Sequence, residues 1–385
     1  MKRVLALGDS HFDARSRFEE CVRIHGWIAD YVERERIDLV VHAGDVYERE
    51  SGIPERDAVA AWALRIAAQC PLLIVRGNHD KLGDLALLEQ LRTTHPIVVQ
   101  ETAGVHRLAG ITVAALAWPR RAAMEESWRA RTGRSPTPDE VSTIAREGLR
   151  FVLSAFAARS PALLVSHAMV SGALTSTGQP LVGCDMEVGL DDLRACGAPV
   201  VLGHIHKPQA WGQLEGLLNG GVWYTGSPRR TAFGETEPKS VLLMTFDDAE
   251  QLVSVERVPT PCTGMELLEL EHDAALGFAA LAELDPEAVV GAEVRFRYVV
   301  DADRRVEARQ QAEAAAADLM RAGAVDVKVE ERVRPASTAR APEVASKTTL
   351  EAKLRALWAA RNEEIDAGRE RSLLRLVHEL EQEAA

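Results

Sequence analysis

Five places in the chain put metal-capable or proton-transferring side chains directly after a short apolar run. They are Gly8-Asp9-Ser10-His11, Gly44-Asp45, Asn78-His79-Asp80, His167, and Gly203-His204-Ile205-His206. Carboxylate, imidazole and amide carbonyl without a thiolate suit borderline divalent ions such as Mn²⁺, Fe²⁺ or Zn²⁺ in an open site, not a structural zinc. Asp9, His11, Asp45, Asn78, His167, His204 and His206 make seven candidate ligands. Seven are too many for one catalytic ion but natural for two that share a carboxylate, and Asp45 is the bridging candidate. Such a pair can hold both an attacking water and the oxygens of a phosphoryl group during in-line displacement. His79 then has a separate task, as acid or charge stabiliser at the leaving group, with Asp80 holding its ring.

Each fragment alone has a plainer reading. An Asp after a strand commonly caps a turn, and a lone His there is more often a hydrogen-bonded core residue. G-H-x-H alone says only that alternate strand residues share a face. The coincidence of five selects the metal reading. His42, inside an apolar run, is expected to be a satisfied core histidine, and His25, His95, His106, His272 and His378 to lie on the surface.

The runs that must position these groups are Val4–Leu7, Leu39–Val41, Leu72–Val75, Leu163–Val165 and Val200–Leu202. Amphipathic stretches such as 17–35 and 57–69 intervene, which is an α/β pattern. In open α/β sheets, ligands gather beyond the carboxyl ends of the strands. Another helix is expected from Thr137, with Pro138 in its first turn and Glu140 closing a capping box. Val141, Ile144, Leu149, Val152 and Phe156 make its apolar face. Residues 119–136 read as an Arg-rich loop. Arg120, Arg121, Arg129, Arg131 and Arg134, with Trp118 and Trp128, would follow a phosphate backbone and stack on unpaired bases. Arg229 and Arg230 would do the same, and the competing reading is a solvated loop partly neutralised by Glu125 and Glu126.

The spacing divides the chain into a main domain, 1–262, a small α+β unit, 263–333, a Pro/Ala/Ser/Thr linker, 334–347, and a helical tail, 348–385. In the small unit, an Ala-rich helix stopped by Gly323 lies between two strands. In the tail, Thr348 and Glu351 form a capping box, and Leu350, Leu354, Leu357 and Trp358 make an apolar stripe. After a break near Gly368, Leu373, Leu374, Val377 and Leu380 repeat it.

Composition bounds the function. The 385 residues are enough for two or three domains, and 46% hydrophobic content is ample for a core. Nothing approaches 18 uncharged apolar residues in a row, so no membrane span is expected, and no signal peptide is read at the start. Five scattered cysteines without C-x-x-C suit a reducing cytoplasm. A net charge of −13 argues against a simple basic nucleic-acid binder, though metal ions or a local groove can supply positive charge.

In order, "GDSHFD", "HAGDVYE", "RGNHD", "LLVSHAMVSG" and "LGHIHKPQ" resemble the motifs of the calcineurin-like metallophosphoesterases. The continuation "VWYTGSPRRTAFGETEPKSVLLMTFD" is more narrowly similar to SbcD-type nucleases, and the resemblance covers residues 1 to about 262. It implies a calcineurin-like metallophosphoesterase sandwich with a small α+β capping domain that binds DNA and a C-terminal helical tail. It implies Asp9, His11, Asp45 and His206 around one ion, Asp45, Asn78, His167 and His204 around the other, and His79 as the acid. It further implies Mn²⁺-dependent phosphodiester cleavage of DNA, 3′-to-5′ exonuclease and endonuclease activity, a homodimer, and an SbcC-type ATPase partner on the tail. The chain departs from the pattern at Glu48, where Asp or His is common, at Ala198-Pro199, and in the segment 119–136. Two other functions compete. One is a phosphoprotein phosphatase or nucleotide phosphodiesterase using the same ions, against which stand the "GHIHKPQ" to "GSP" run and the added domains. The other is a non-catalytic scaffold, which should have lost ligands, whereas all seven and His79 are present.

Overall fold

The first strand, β1 (Lys2–Leu7), buries both of its faces. Val4 and Ala6 belong to one core and Leu5 and Leu7 to another, as period-two alternation requires of an interior strand. The same holds for β2 (Leu39–His42) and β3 (Leu72–Val75), which follow helices α1 (Phe18–Glu35) and α2 (Ile53–Gln69). β4 (Ile97–Gln100), β5 (Ala103–Leu108) and β6 (Ile111–Leu116) come next, then α3 (Arg121–Thr132) and α4 (Pro138–Ala157). β7 (Leu163–His167), the short parallel pair β8 (Met169–Val170) and β9 (Glu187–Val188), and α5 (Leu190–Arg194) precede β10 (Val200–Gly203). β11 (Gln209–Trp211), β12 (Val222–Tyr224), β13 (Ser240–Phe246) and β14 (Leu252–Pro259) complete this part. The computed structural model describes the chain except residues 177–178, 180–186, 213–219, 274, 279–280, 282–285, 335–343, 345, 362–365 and 384–385.

Two six-stranded sheets result, ordered β14-β13-β1-β2-β3-β4 and β11-β12-β10-β7-β6-β5. Between them lie Val4, Val41, Leu73 and Val75 of the first sheet and Val113, Leu163, Val165 and Val201 of the second. Leu5, Leu7, Ile74 and their neighbours pack against Ile24, Ile28, Val59 and Trp62 of α1 and α2. Leu164, Val200 and Leu202 pack against Leu149, Leu153 and Phe156 of α4. The layers are therefore helix, sheet, sheet, helix: an α/β sandwich. Each fully buried Leu, Ile or Val contributes about 1.5–3 kcal/mol. Thr137 caps α4 through the Glu140 N–H, and Pro138 opens its first turn, as expected.

The parallel register sets Leu7 opposite His42, His42 opposite Ile74, and His167 opposite Gly203. The carboxyl ends of β1, β2 and β3 thus end level in one sheet, and those of β7 and β10 in the other. The site grows from those ends.

A three-stranded sheet follows, β15 (Gly264–Glu271), β16 (Ala292–Asp301) and β17 (Asp326–Arg334), with α6 (Arg305–Arg321) before the last strand. Helices α7 (Leu350–Arg361) and α8 (Ala367–Glu383) close the chain. Its contacts fall into two units: 1–268, 283–296 and 316–328 in one, and 269–282, 297–315 and 329–385 in the other. In the tail, Leu354, Leu357 and Trp358 are half-buried and Val377 buried, while the side chain of Leu380 lies outside the described residues. The α7 cap is Thr349, whose hydroxyl accepts from Ala352 N at 3.2 Å, and not Thr348. The helix starts at Leu350, so the residue before it is the one in capping position. Most of the expected linker lies outside the described residues. No described helix is long and apolar enough to cross a membrane.

Segment 119–136 is not a loop. It contains α3, ended by Gly133 at φ +73°. Apart from the alanines, Met124 and Trp128 are its apolar residues, so the sequence carries only a one-turn apolar stripe. Arg131 and Arg134 lie over the Trp128 ring, and Arg134 pairs with Glu140 at 2.6 Å.

Candidate metal centre

The loop after β1 is zipped to the loop after β2. Asp9 N donates to Gly44 O, His11 N to Asp45 O and Phe12 N to Val46 O, all within 3.1 Å. Asp9, His11, Asp45 and His204 all sit at positive φ, 53°, 48°, 54° and 109°. Such strain in non-glycine residues persists only where the surroundings fix it, and it concentrates at functional sites. Two glycines make the close approach possible. A Cβ on Gly77 would collide with Asp45, and one on Gly44 with the His167 ring.

All seven candidate ligands and His79 converge here. Asp9, His11, Asp45 and His167 are buried. Asp9 Oδ1 accepts from His204 N at 2.8 Å, and Asp45 Oδ1 from His79 N at 2.9 Å. Asn78 Oδ1 stands 2.9 Å from His167 Nε2 and 3.0 Å from His204 Nδ1. His206 Nε2 faces His11 Nε2 at 3.0 Å. Among the described residues, the donor atoms of His11, Asp45 and His79 lie within 4.8 Å of one another, as do those of Asp45, His167 and His204.

The outer nitrogens of these rings decide what the inner ones offer. His167 Nδ1 has the Ala43 carbonyl at 2.7 Å, and His79 Nδ1 has the Glu48 carbonyl at 2.7 Å. His206 Nδ1 has Glu235 Oε1 at 3.0 Å, and His11 Nδ1 has Glu48 Oε2 at 2.8 Å. In His167, His79 and His206 the Nδ1 therefore carries the proton of the neutral ring and donates outward, leaving an Nε2 lone pair turned inward, while His11 Nδ1 stands at ion-pair distance from Glu48. Those lone pairs face one another, the Asn78 carbonyl oxygen, and Asp45 Oδ2, which is 3.3 Å from His167 Nε2. Asp9 Oδ2 and His204 Nε2 are buried with no hydrogen-bond partner. Lone pair facing lone pair is repulsive unless a cation lies between, so the donor set fits divalent metal ions. Burial opposes charge on His167, yet Asp45 and Asp9 raise its pKa to about 9, so without a metal a second proton holds the inward position that an ion would take on displacing it. His204, dominated by burial and by its neighbour His167, falls to about 3.

Asp80 does not hold the His79 ring. Its carboxylate accepts from Gly77 N at 2.8 Å, Tyr47 N at 2.9 Å and Val46 N at 3.3 Å, and so clamps the second loop to the third. The ring is held by the Glu48 carbonyl instead.

Three contributions escaped sequence reasoning. Glu48 supports His11 with its side chain and His79 with its backbone. Glu235, buried between His206 and the fully buried Lys239, orients His206. Glu235→Gln is expected to lower Mn²⁺ affinity by roughly 10–100-fold, the usual loss when a ligand's supporting group is removed. Calorimetric titration giving an unchanged affinity would exclude this role.

The third is a buried chain through Ser10. Gly44 N donates to His42 Nδ1 at 3.2 Å, which leaves His42 Nε2–H to donate to Ser10 Oγ at 2.7 Å. Ser10 in turn donates to His25 Nε2 at 2.7 Å, and His25 Nδ1–H to Cys21 O at 2.8 Å. His42 is the satisfied core histidine expected, but His25 is buried and not on the surface. Burial lowers its pKa to about 4, so it stays neutral. Ser10→Ala strands two buried ring nitrogens and is expected to destabilise by about 2–4 kcal/mol. Urea unfolding with an unshifted midpoint would contradict this.

Arg229 is also a correction. It is buried, and its guanidinium donates to His11 O at 2.8 Å, so it fixes the His11 loop and offers nothing to a nucleic acid. Arg230 is occupied by Glu235 O at 2.8 Å.

Residues 2–208, more than half of the chain, match the calcineurin-like phosphoesterase family. The chain is 27% identical over 270 residues to the SbcD component of the SbcCD nuclease of Bacillus subtilis, covering 65% of this chain and 67% of that one. It is 26% identical over 272 residues to the DNA double-strand break repair protein Mre11 of Halobacterium salinarum, covering 67% of this chain and 60% of that one. It is 28% identical over 228 residues to the SbcD component of the SbcCD nuclease of Rhodobacter capsulatus, covering 50% and 53%. The match and the donor set agree: the chain belongs to the calcineurin-like phosphoesterase family, as an SbcD-like, metal-dependent hydrolase of phosphoester bonds.

Proposed function

We propose that the protein is a DNA nuclease with a dinuclear centre, acting as 3′-to-5′ exonuclease and endonuclease in a complex of the SbcCD type. The observation that carries the reading is the convergence of His167 and His11 Nε2 on Asp45 and of His167 and His204 on the Asn78 oxygen, with Asp9 Oδ2 buried without a hydrogen-bond partner. Asp9, His11, Asp45 and His206 would hold one ion, and Asp45, Asn78, His167 and His204 the other, with Mn²⁺ as the metal. When bound, the ions supply Lewis-acid activation of water and neutralise charge on the phosphoryl oxygens. The chain's residues do the rest. Glu48 and Glu235 hold the His11 and His206 rings, and Asp80 keeps the second and third loops in register. His79, its Nδ1–H fixed on Glu48 O, presents Nε2 toward the departing oxygen.

The relatives, one a component of a nuclease complex and one a DNA double-strand break repair protein, support DNA as substrate and assembly with a second protein. We take the partner to be an SbcC-type ATPase docked on 348–385, the small unit 263–333 to be the DNA-capping domain, the protein to be a homodimer, and the compartment to be the cytoplasm. Truncation after Ser346 is expected to leave a metal-loaded nuclease on single-stranded DNA that no longer co-purifies with the ATPase. An insoluble or metal-free product would make the tail part of the fold.

The decisive assay uses end-labelled single- and double-stranded DNA with Mn²⁺ or Mg²⁺, with and without the ATPase. Manganese-dependent shortening from 3′ ends is expected. Hydrolysis of bis(p-nitrophenyl) phosphate with no cleavage of DNA would favour a phosphatase or nucleotide phosphodiesterase.

A further inference from the structure

Beside the metal centre, between α3, α4 and the end of β6, lies a cleft of about 500 Å³. Its body is apolar: Leu116, Trp118, Met124, Ile144, Leu149 and Val152 line it. Its polar wall holds three arginines, Arg76, Arg120 and Arg131, against one carboxylate, Glu101, which accepts from Gly83 N at 2.6 Å. Trp118 belongs to both cavity and centre, because its ring lies 4.8 Å from that of His204 and 5.7 Å from that of His167.

Two observations point to a ligand. Arg76 is 4% exposed and donates to the carbonyls of Gly77 and Trp118, yet its Nε has no hydrogen-bond partner. Among the described residues, neither Arg76 nor the exposed Arg120 has an ion-pair partner within 4 Å; Asp80, Glu101 and Asp45 act on Arg76 only from a distance, and Arg120 adds a second positive charge at the same wall. Gly148 sits within α4 where the helix lines the cleft, and a Cβ there would meet nothing within 4 Å. A glycine inside a helix costs about 1 kcal/mol relative to alanine, and here its effect is to leave the cleft open.

We propose that this cleft takes one nucleotide, its base against Trp118 and the apolar body and its phosphate toward Arg120 and Arg76. An aromatic wall with cations at one end matches a flat heterocycle carrying an anion. The adjacency of Trp118 to His204 sets that nucleotide next to the scissile phosphate, so the cleft would grip the strand beside the bond that is cut. The assignment rests on the nuclease reading. A strand and a released mononucleotide offer the same chemistry.

The test uses the full chain, with and without added Mn²⁺. dAMP and a short single-stranded oligothymidylate are titrated by calorimetry into wild type, Gly148→Phe, which fills the cleft, and Arg120→Glu, which reverses its charge. Binding that survives metal removal and weakens at least about tenfold in both variants is expected. Weakening of both probes assigns the cleft to the strand, and weakening of dAMP alone to the released nucleotide; either supports a nucleotide site. Undiminished binding in both variants, or dAMP binding that vanishes with the metal, overturns it. So does a changed sedimentation coefficient of Gly148→Phe with dAMP binding intact, which would make the cleft a contact between copies. Gly148→Phe should hydrolyse bis(p-nitrophenyl) phosphate at the wild-type rate. If the wild type cuts no DNA, the nuclease reading fails, while the dAMP titration still decides the cleft.

Discussion

Asp45→Ala is expected to lose metal and activity together. One carboxylate serves both donor groups, with Oδ2 3.3 Å from His167 Nε2 and 3.9 Å from His11 Nε2. Among the described residues, neither of these two donor groups includes a second carboxylate. Bound metal should fall from two equivalents to one or none, and hydrolysis of bis(p-nitrophenyl) phosphate should drop below detection. Asp45 is also structural: Oδ1 accepts from His79 N, and its φ of 54° is unfavourable for alanine. Asp45→Asn is therefore the companion variant, since asparagine tolerates that backbone and keeps the acceptor. If the alanine variant is misfolded but the asparagine variant folds, loses metal and is inactive, the charge is what matters. Two full equivalents of metal in folded Asp45→Asn would contradict a bridging carboxylate.

The sandwich was legible because its central strands bury both faces. Leu39–Val41, Leu72–Val75 and Leu163–Val165 are unbroken β-branched or leucine runs, bounded as interior parallel strands of that length are. The convergence at the strand ends was legible for the same reason. A parallel register carries residues that follow different strands to one edge, so His42 opposite Leu7 and Gly203 opposite His167 need no long-range knowledge.

The supporting groups were not legible, because their roles exist only in three dimensions. Glu235 follows His206 by 29 residues and becomes its partner only through the turn that Ser227 N closes on His206 O. His25 lies on α1 between Ile24 and Gly26, and nothing local says that Ser10 will meet it. Asp80 misled for the opposite reason. Its place beside His79 suggests support of that ring, but neighbours in a turn point apart, and its carboxylate reaches three backbone N–H groups instead. Segment 119–136 failed on periodicity. Its helix packs against the domain with few apolar residues, and the charged pattern resembles a solvated loop.

His79→Asn should separate acid catalysis from metal binding. The ring is anchored through Nδ1 on the Glu48 carbonyl at 2.7 Å, leaving Nε2 as the reactive atom. Its side chain is 38% exposed, whereas those of His11 and His167 are 5% and 0% exposed. A ligand enclosed by other ligands need not meet solvent, but a group that hands a proton to a departing oxygen must face the substrate. Turnover of DNA should fall by roughly 10²–10⁴-fold, the range for a lost general acid, while two equivalents of metal remain. The comparison of leaving groups sharpens the test. A 3′- or 5′-alkoxide needs a proton as it departs and nitrophenolate does not, so bis(p-nitrophenyl) phosphate should suffer far less than DNA. Equal losses on both substrates would remove the acid role. Loss of metal would make His79 a ligand, since its ring lies 5.0 Å from that of His11 and its donor atom falls within the group formed with His11 and Asp45. Full retention of rate on DNA, with metal intact, would leave the proton to be supplied by water.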